Sequence, residues 1–396
     1  MSALGGICRS IWRFHRVLAG ILIFEYAIAF AIVLTATGVL VARSTTIDSN
    51  SGIVEHGLYV LEGSGVGQPV HRFESLDAMD RFMAVAGADH VALASAVPFL
   101  GHDATTMTAS VPDGPPGLPP LYVSAYTGDA GLTDVLGIKL LAGRFFKPDE
   151  IALHVGDDSH LAIISASLAE RLFHRRDVVG RPVVIGGDTD TIVGVIDALA
   201  APAYFGALQT DLTAILPETV HSNGVIVIRY DGPQANLAPI LAGLRRHDAG
   251  QVNWSLRSYA SIRAHYFQSD RIVVAVLAVV VLIVLITALC GTLGLTHYWI
   301  AQRRHTIGIR RVLGATRRDI GLHFIGESML LVLAGLGLGV VFHLLVVICT
   351  RMVRPNVGIA AWGLAVGAMA ALAIVVVLVS LRRWLGMSPA DLLRSR

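Results

Sequence analysis

Few side chains in this sequence have the chemistry for a reaction, and three ionisable ones stand inside long apolar runs. These are Glu25, Glu327 and His343. An ionisable group at membrane depth is costly, so it usually has a functional role or a polar partner. A proton relay would need more acids at that depth than the sequence supplies. We therefore expect Glu25 and Glu327 to serve helix packing, with Glu25 facing a partner helix and Glu327 pairing with nearby arginines.

Glycine and lysine patterns argue against nucleotide chemistry in this chain. A phosphate-binding loop of the type GxxxxGK[ST] is absent, because neither lysine, Lys139 or Lys147, follows a glycine. Gly335 and Gly339 lie in a glycine-rich stretch with no strand before it, so a dinucleotide loop is disfavoured and a small-xxx-small packing pair is favoured. The histidines match no metal signature. The sequence predicts no catalytic, cofactor-binding or metal site here, and any ATP and magnesium would be bound by a partner subunit.

An arginine-rich segment, RRHTIGIRRVLGATRRDIGLHFIGES at 303–328, separates the second and third apolar runs. Its arginines abut both runs, so membrane topology explains them without nucleic acid as a partner. One face of a helix can be shared by the apolar residues Ile309, Val312, Leu313 and Ile320. Gly314 offers a break. A short amphipathic helix on which another protein acts fits this pattern. A solvated loop that only sets topology is the alternative.

The elements that must position these groups are membrane spans. Mean hydropathy is +0.64 and only 15% of the residues are charged, too few to solvate a soluble chain of 396 residues. Four apolar runs exceed the roughly 20 residues that cross a bilayer as a helix. The predicted spans are 17–42, 271–298, 324–350 and 357–381. The first run is long for the hydrophobic part of a signal peptide, so we expect an uncleaved anchor.

The placement of arginines predicts the orientation of these spans. Arginines crowd the N-terminal segment 1–16, the connection 299–323 and the tail 382–396, whereas the short loop 351–356 carries two. We expect both termini and the connection 299–323 on the cytoplasmic side of the membrane. Segment 1–16 has apolar residues at helical spacing, which fits an amphipathic interfacial helix as well as a merely basic flank.

Residues 43–270, between the first two spans, form a large extracytoplasmic (periplasmic) domain in this topology. They contain no cysteine, so no disulfide stabilises the domain. Strand–helix–strand patterns at 57–96 and 224–256 predict one split βαβ subdomain. Between them, residues 98–222 have the pattern of an inserted β-rich subdomain whose topology stays open. The predicted fold class is a membrane α-helical protein with four transmembrane helices and a large α+β domain made of these two parts.

Several motifs follow one another along most of the chain. The cytoplasmic connection contains Ile307-Gly308-Ile309-Arg310-Arg311-Val312-Leu313-Gly314-Ala315, followed by Glu327-Ser328. The other motifs are LGIKLLAGRFF (136–146), AIISASLAERLF (162–173), VGRPVVIGG (179–187), TIVGVIDAL (191–199) and PADLLR (389–394). In this order and at these distances they resemble the MacB/FtsX/LolC family of ABC transporter permeases, in the form without a fused ATPase.

This resemblance implies a dimer of permease subunits, homo- or heterodimeric, and a cytoplasmic ABC ATPase bound to the connection between spans two and three. A periplasmic adaptor and an outer-membrane channel are further partners in such systems. The expected coupling residues are Arg303, Arg304, Thr306, Ile307, Arg310, Arg311, Leu313 and Gly314. Thr306 departs from the family, whose members commonly have an acidic residue there, and this puts the detailed ATPase contact in question.

The resemblance also implies a function. ATP-driven motion of the partner would pass through the helices to the periplasmic domain, for export or extraction of a peptide, lipoprotein or antibiotic-like substrate. The alternative is a non-transporting FtsX-like regulator or antimicrobial sensor that activates a periplasmic or signalling partner. An enzyme embedded in the membrane is disfavoured for want of a catalytic set.

Overall fold

The structure is a computed structural model that describes residues 16–65, 78–84, 90–100, 105–112, 120–151, 159–202, 211–218, 224–247, 252–302, 317–350 and 358–385. The chain divides into two compact units. The helical unit contains Met1–Asp48 and Ser269–Arg396, and the α/β unit contains Ser49–Gln268. Nearly all of the predicted N-terminal helix at 1–16 and the whole of the predicted loop at 351–356 lie outside the described residues.

The helices and strands are numbered in chain order. The helices are α1 (Arg16–Ile47), α2 (78–84), α3 (Leu132–Leu136), α4 (Ala166–Phe173), α5 (Ala238–His247), α6 (Tyr259–Tyr266), α7 (Gln268–Gln302), α8 (Arg317–Thr350) and α9 (Ile359–Leu385). The strands are β1 (Leu58–Gly65), β2 (Val91–Ala94), β3 (Thr105–Ser110), β4 (Leu121–Thr127), β5 (Leu140–Gly143), β6 (Leu161–Ser165), β7 (Pro182–Ile185), β8 (Asp188–Ile196), β9 (Thr213–Leu216), β10 (Val225–Arg229) and β11 (Val252–Ser258).

The helical unit consists of α1, α7, α8 and α9, which are all long and apolar enough to cross a membrane. The predicted four transmembrane helices are therefore confirmed. α1 lies at the centre, because Tyr26, Phe30 and Leu34 are buried in one core with side chains of the other three helices. α1 continues through polar residues to Ile47, where the hydroxyls of Thr45 and Thr46 donate to the carbonyl oxygen of Ala42.

The four-stranded sheet of the α/β unit has the order β11-β1-β10-β2, and all neighbouring strands are antiparallel. β1 and β2 are consequently parallel with β10 between them, and β10 and β11 are parallel with β1 between them. The two strand–helix–strand patterns interleave, which confirms the predicted split βαβ subdomain. α2 and α5 pack on one face, where Phe82, Leu244 and Trp254 are buried. Ala94 of β2 pairs with Val225 of β10, so the intervening chain leaves and re-enters this sheet at adjacent positions.

The seven-stranded sheet is built from that intervening chain and has the order β5-β8-β6-β9-β4-β3-β7. β7 also pairs with β8, so six of the strands close into a ring and β5 extends the edge of β8. Gly186 and Gly187 form the β7–β8 turn with φ values of 66° and 111°, a conformation that a two-residue hairpin turn requires and that glycine adopts without strain. α4 contributes Leu168 and Ala169 to the enclosed core.

Candidate functional site

The residues predicted to couple to an ATPase belong to the segment between α7 and α8, at 303–316, which lies outside the described residues. They are Arg303, Arg304, Thr306, Ile307, Arg310, Arg311, Leu313 and Gly314. Glu327 lies in α8, but its side chain is also outside the described part of the chain. These assignments stay predictions. The structure does describe the contacts of α7 and α8, the helices on either side of this segment. It also describes the contacts near the two points where the chain passes between the helical unit and the α/β unit.

Two glycines of α8 bring that helix close to α1. A Cβ atom at Gly335 would lie 2.5 Å from Cβ of Tyr26, well inside ordinary contact. At Gly339 it would lie 2.8 Å from the carbonyl oxygen of Ala27 and 3.0 Å from the ring of Phe30. Any larger residue at either position would push the helices apart. The small-xxx-small pair therefore packs against α1 of the same chain.

Glu25 lies against α7. A Cβ atom at Gly291 would collide with Oε1 of Glu25 and would lie 2.9 Å from its carboxyl carbon. The carboxyl group is thus accommodated on the backbone of α7 only because residue 291 has no side chain. The helix that Glu25 faces is α7 of the same chain, and the contact places a polar group between the first two spans.

His343 links three of the helices. Thr35 donates its hydroxyl hydrogen to the carbonyl oxygen of Ala31 at 2.8 Å, and its oxygen lies 2.9 Å from Nδ1 of His343. Because that hydrogen is already committed, we assign the proton to Nδ1 of His343, which donates to Thr35. The His343 ring also meets the ring of Trp362 edge-on, with centroids 6.1 Å apart. α1 and α8 therefore share a hydrogen bond, and the same imidazole ring contacts α9, so His343 helps to fix the register of all three helices.

The chain passes between the two units twice, and two arginine–carboxylate pairs lie near these passages. In each pair, one residue lies near the first passage and the other near the second. In the helical unit, Arg43 near the end of α1 donates to Asp270 at the start of α7 at 2.7 Å. In the α/β unit, Arg263 of α6 donates to Glu55, and the hydroxyl of Ser51 donates to the same carboxylate oxygen at 2.6 Å. The first pair joins α1 to α7, and the second joins the segment that follows α1 to α6, which precedes α7.

The pair in the α/β unit belongs to a larger group, the junction cluster, which consists of Ser51, Glu55, Tyr259 and Arg263. Arg263 also donates to the carbonyl oxygen of Ser49 at 2.6 Å, and its side chain is only 19% exposed. Tyr259 is the fully buried member of the cluster. Its pKa is raised mainly by burial and secondly by the nearby charge of Glu55. The hydroxyl of Tyr259 is therefore neutral at physiological pH, and the cluster's charges are those of Glu55 and Arg263.

An aromatic group backs the junction cluster. The Arg263 guanidinium lies 5.2 Å from the ring centroid of Phe99 and 5.7 Å from that of Phe267, within cation–π range. Tyr266 completes a three-ring contact with centroids 4.9 to 5.4 Å apart. Phe99 has a φ of 61°, in the left-handed region that bulky residues rarely adopt. The packing around its ring is what holds this strained residue in place.

Arg229 joins the four-stranded sheet to the chain before β1 and to α3. It ends β10 and donates to the carbonyl oxygens of Val54 and His56 at 3.1 Å each, and through Nε to that of Val135 at 2.8 Å. Val135 lies near the C-terminus of α3, where backbone carbonyls lack helical partners and favour a cation. Burial lowers the pKa of Arg229, but an arginine stays charged at any physiological pH.

A second arginine–glutamate pair closes the loop after β5. Arg144 donates two hydrogen bonds to Glu150, both at 2.6 Å, and the backbone N–H of Lys147 donates to the same carboxylate at 2.9 Å. Arg144 first, and this N–H second, lower the pKa of Glu150 to about 2. Among the described residues no group of three His, Cys, Asp or Glu side chains is arranged to hold a metal ion.

Sequence reasoning did not find the junction cluster or Arg229. Glu55 and Arg263 are 208 positions apart, and their pairing depends on how the halves of the split sheet interleave. The sequence offered one signal, which was position. Glu55 follows the first predicted span and Arg263 precedes the second, so opposite charges at these two places could have been expected to pair.

The family comparisons agree with this architecture. A family model described as the MacB-like periplasmic core domain matches residues 26–247, more than half of the chain, and one described as the FtsX-like permease C-terminal matches residues 278–390. The chain belongs to the MacB/FtsX family of ABC transporter permeases. The regions matched in this MacB/FtsX permease are part of α1 with the α/β unit up to the end of α5, and most of the last three helices. Four apolar helices and a periplasmic-type domain indicate an inner-membrane protein.

Individual relatives are distant from this MacB/FtsX permease. The macrolide export ATP-binding/permease protein MacB of Neisseria gonorrhoeae is 24% identical over 226 residues, which covers 54% of this chain and 34% of the relative. That of Bartonella henselae is 26% identical over 219 residues, 52% of this chain and 32% of the relative. The chain thus spans about a third of the length of the curated relatives it matches. The solved periplasmic region of MacB from Actinobacillus actinomycetemcomitans is 13% identical, covers 56% of this chain and 97% of that one, and superposes with a TM-score of 0.38.

Proposed function

We propose that this chain is a permease subunit that transmits the motion of a partner ABC ATPase through its membrane helices to its periplasmic domain. The α/β unit would act on a peptide, lipoprotein or antibiotic-like substrate, which the complex exports or extracts. The ATPase would dock on residues 303–316 and would bind the ATP and magnesium. A second permease subunit would complete the complex, with both termini of this chain in the cytoplasm.

One observation carries the proposal: the two connections between the units are joined to each other at two points. Arg43 pairs with Asp270 in the helical unit, and Glu55 pairs with Arg263 in the α/β unit. A connection held in this way moves together with its neighbour, so a displacement of α1 and α7 would reach the domain as one displacement. Flexible, unpaired connections would absorb such a displacement.

The arrangement of α1 supports the same proposal. α1 is the most buried of the four spans, and its close contacts with α8 come from two glycines. A tightly packed pair of helices transmits a push on one end with little internal compression. The predicted docking segment leads directly into α8, so force applied there would pass from α8 to α1.

The test uses the full chain co-purified with its ATPase and reconstituted in lipid nanodiscs. Ile309→Asp and Leu313→Asp should abolish the stimulation of ATP hydrolysis by the permease, because they place charge on the predicted docking face. Tyr122→Asp, at an exposed position of the α/β unit, is the control and should leave stimulation intact. Arg263→Met should keep the stimulated hydrolysis but reduce substrate export. Undiminished stimulation in the Ile309 and Leu313 variants would reject the docking assignment.

A regulatory role is separated from transport by a second readout. If hydrolysis is coupled but no peptide, lipoprotein or antibiotic is moved, the FtsX-like alternative applies. Neighbouring genes offer a further discriminator, since an adaptor and an outer-membrane channel favour export, and a hydrolase or a sensor kinase favours regulation.

A further inference from the structure

The helical unit contains a cleft of about 350 Å³ bounded by all four helices. Its floor is formed by buried residues, among them Leu22 and Tyr26 of α1 and Thr292 of α7. Its rim is formed by exposed apolar side chains of the last two helices. These are Met329, Leu333, Ile374 and Leu378. The cleft therefore leads from the surface of the bundle, between α8 and α9, down to α1.

The cleft exists because α8 and α9 each pack along α1 but meet each other over a shorter length. Small residues widen the gap on the α9 side, where Ala370 and Ala373 line the wall. Most of the lining is aliphatic. The hydroxyl groups present belong to Tyr26, Thr292, Thr296 and Ser328, and that of Thr296 already donates to the carbonyl oxygen of Thr292.

The size and chemistry of the cleft restrict what occupies it. Apolar cavities stay dry, so ordered water is disfavoured. A transmembrane helix with its side chains is about 10 Å across. A hydrocarbon chain is far narrower, is as apolar as the leucines that line the walls, and surrounds the rim of any membrane protein. The volume lies within the range of about 300–1,000 Å³ that is usual for sites of small ligands.

We propose that this cleft binds one acyl chain of a membrane phospholipid as a resident ligand. The chain enters between the exposed rim residues of α8 and α9 and lies on the floor formed by α1 and α7. The lining residues lie in the N-terminal half of α1 and the C-terminal half of α7, which are the halves far from the connections to the α/β unit. With the orientation proposed above, the phospholipid belongs to the cytoplasmic leaflet.

A bound chain would also have a structural consequence. It would contact all four helices at once and fill the gap that α8 and α9 leave between them. Dispersion contacts along its length would then stabilise the bundle, which the weak direct contact between these helices does not do. This inference concerns lipid binding by the helical unit alone, so it can be tested without the ATPase or a substrate.

The test is photocrosslinking of the full chain in vesicles of phosphatidylethanolamine and phosphatidylglycerol that contain a trace of phosphatidylethanolamine with a mid-chain diazirine. Crosslinked peptides are identified by mass spectrometry. We expect labelling to concentrate on the lining residues of α8 and α9. Ala370→Phe fills the cleft and should reduce this labelling about tenfold, because a ring in the site removes most of the chain's contacts. Ala371→Phe, the adjacent residue on the same helix, does not line the cleft and should leave labelling unchanged.

A second variant covers the case in which Ala370→Phe fails to fold, as judged by circular dichroism and size-exclusion chromatography. Val366→Phe narrows the cleft one turn away, and Gly367→Phe, which is outside the lining, is its control. Equal labelling of each variant and its control would overturn the proposal. Labelling spread evenly over the outward faces of all four helices would also overturn it, because that is the pattern of bulk lipid.

Discussion

Replacement of Arg263 by methionine tests the junction cluster most directly. Methionine keeps much of the apolar length of the side chain, but it cannot donate a hydrogen bond and carries no charge. The variant therefore removes the bonds to Glu55 and to the carbonyl oxygen of Ser49 and leaves the Glu55 carboxylate with Ser51 as its remaining hydrogen-bond donor in the cluster. It also removes the cation from the rings of Phe99 and Phe267.

The expected cost follows from these contacts. A hydrogen bond to a charged group contributes about 1.5–3 kcal/mol, and an arginine over an aromatic ring about 0.5–1 kcal/mol at a partly exposed site. Glu55 is 35% exposed, so water will recover part of the loss. We expect the free energy of unfolding of the α/β unit to fall by about 2–4 kcal/mol.

The matched control is Arg176→Met. Arg176 pairs with Glu170 at 3.3 Å, but the two side chains are 66% and 58% exposed, so the expected loss is below about 1 kcal/mol. Urea unfolding of a soluble fragment that spans the α/β unit gives both values. A double-mutant cycle with Glu55→Gln should give a coupling energy of about 1–3 kcal/mol. If Arg263→Met costs no more than the control, the junction cluster does not hold the two connections together, and a displacement of α1 and α7 would not reach the α/β unit through this pair.

Two further predictions concern the α/β unit. The pKa of Glu150 is lowered from 4.5 to about 2, so the stability that this residue contributes is present above pH 4.5 and is lost as the pH falls towards 2. In Glu150→Gln, the free energy of unfolding should therefore depend less steeply on pH within that window. An unchanged slope would contradict the pairing with Arg144. At Gly52, where φ is 79°, a Cβ atom would collide with the carbonyl oxygen of Ala198, so Gly52→Ala should destabilise the unit by more than about 3 kcal/mol. Gly180, the control position, has a φ of 81° but open space around it. Gly180→Ala should therefore cost only about 1–2 kcal/mol, roughly the cost of the left-handed backbone alone. Equal losses of stability in thermal unfolding of the two variants would show that the collision at Gly52 relaxes.

The features that the sequence predicted are those fixed by local composition. An apolar run long enough to cross a bilayer must be a helix, so the four spans could be predicted from length and charge alone. Each strand–helix–strand pattern could also be recognised from residues that are close together in the sequence. The two patterns lie at the two ends of one domain, and this is why a single split subdomain was predicted. In both cases the structure of a residue is determined mainly by residues close to it in the sequence.

The ring of strands and the junction cluster could not be predicted in this way. β4 pairs with β9 and β6 with β8 across long stretches of chain, and several orders of such short apolar strands satisfy the same pattern. Glu55 and Arg263 meet only after this topology is set. The candidate site at 303–316 rests on the family motif, and it stays a prediction because those residues lie outside the described part of the chain.

The register between β2 and β10 has a consequence for how this domain varies. Ala94 and Val225 are direct neighbours, and the whole ring of strands is strung between them. A two-residue turn could bridge the same two positions and leave the four-stranded sheet complete. The ring is thus an insertion at a place where the hydrogen bonds of the four-stranded sheet stay intact, and insertions at such places are tolerated. An exchange of the ring would also remove Phe99, whose side chain contacts Arg263, so a substitute would have to supply that contact to the junction cluster.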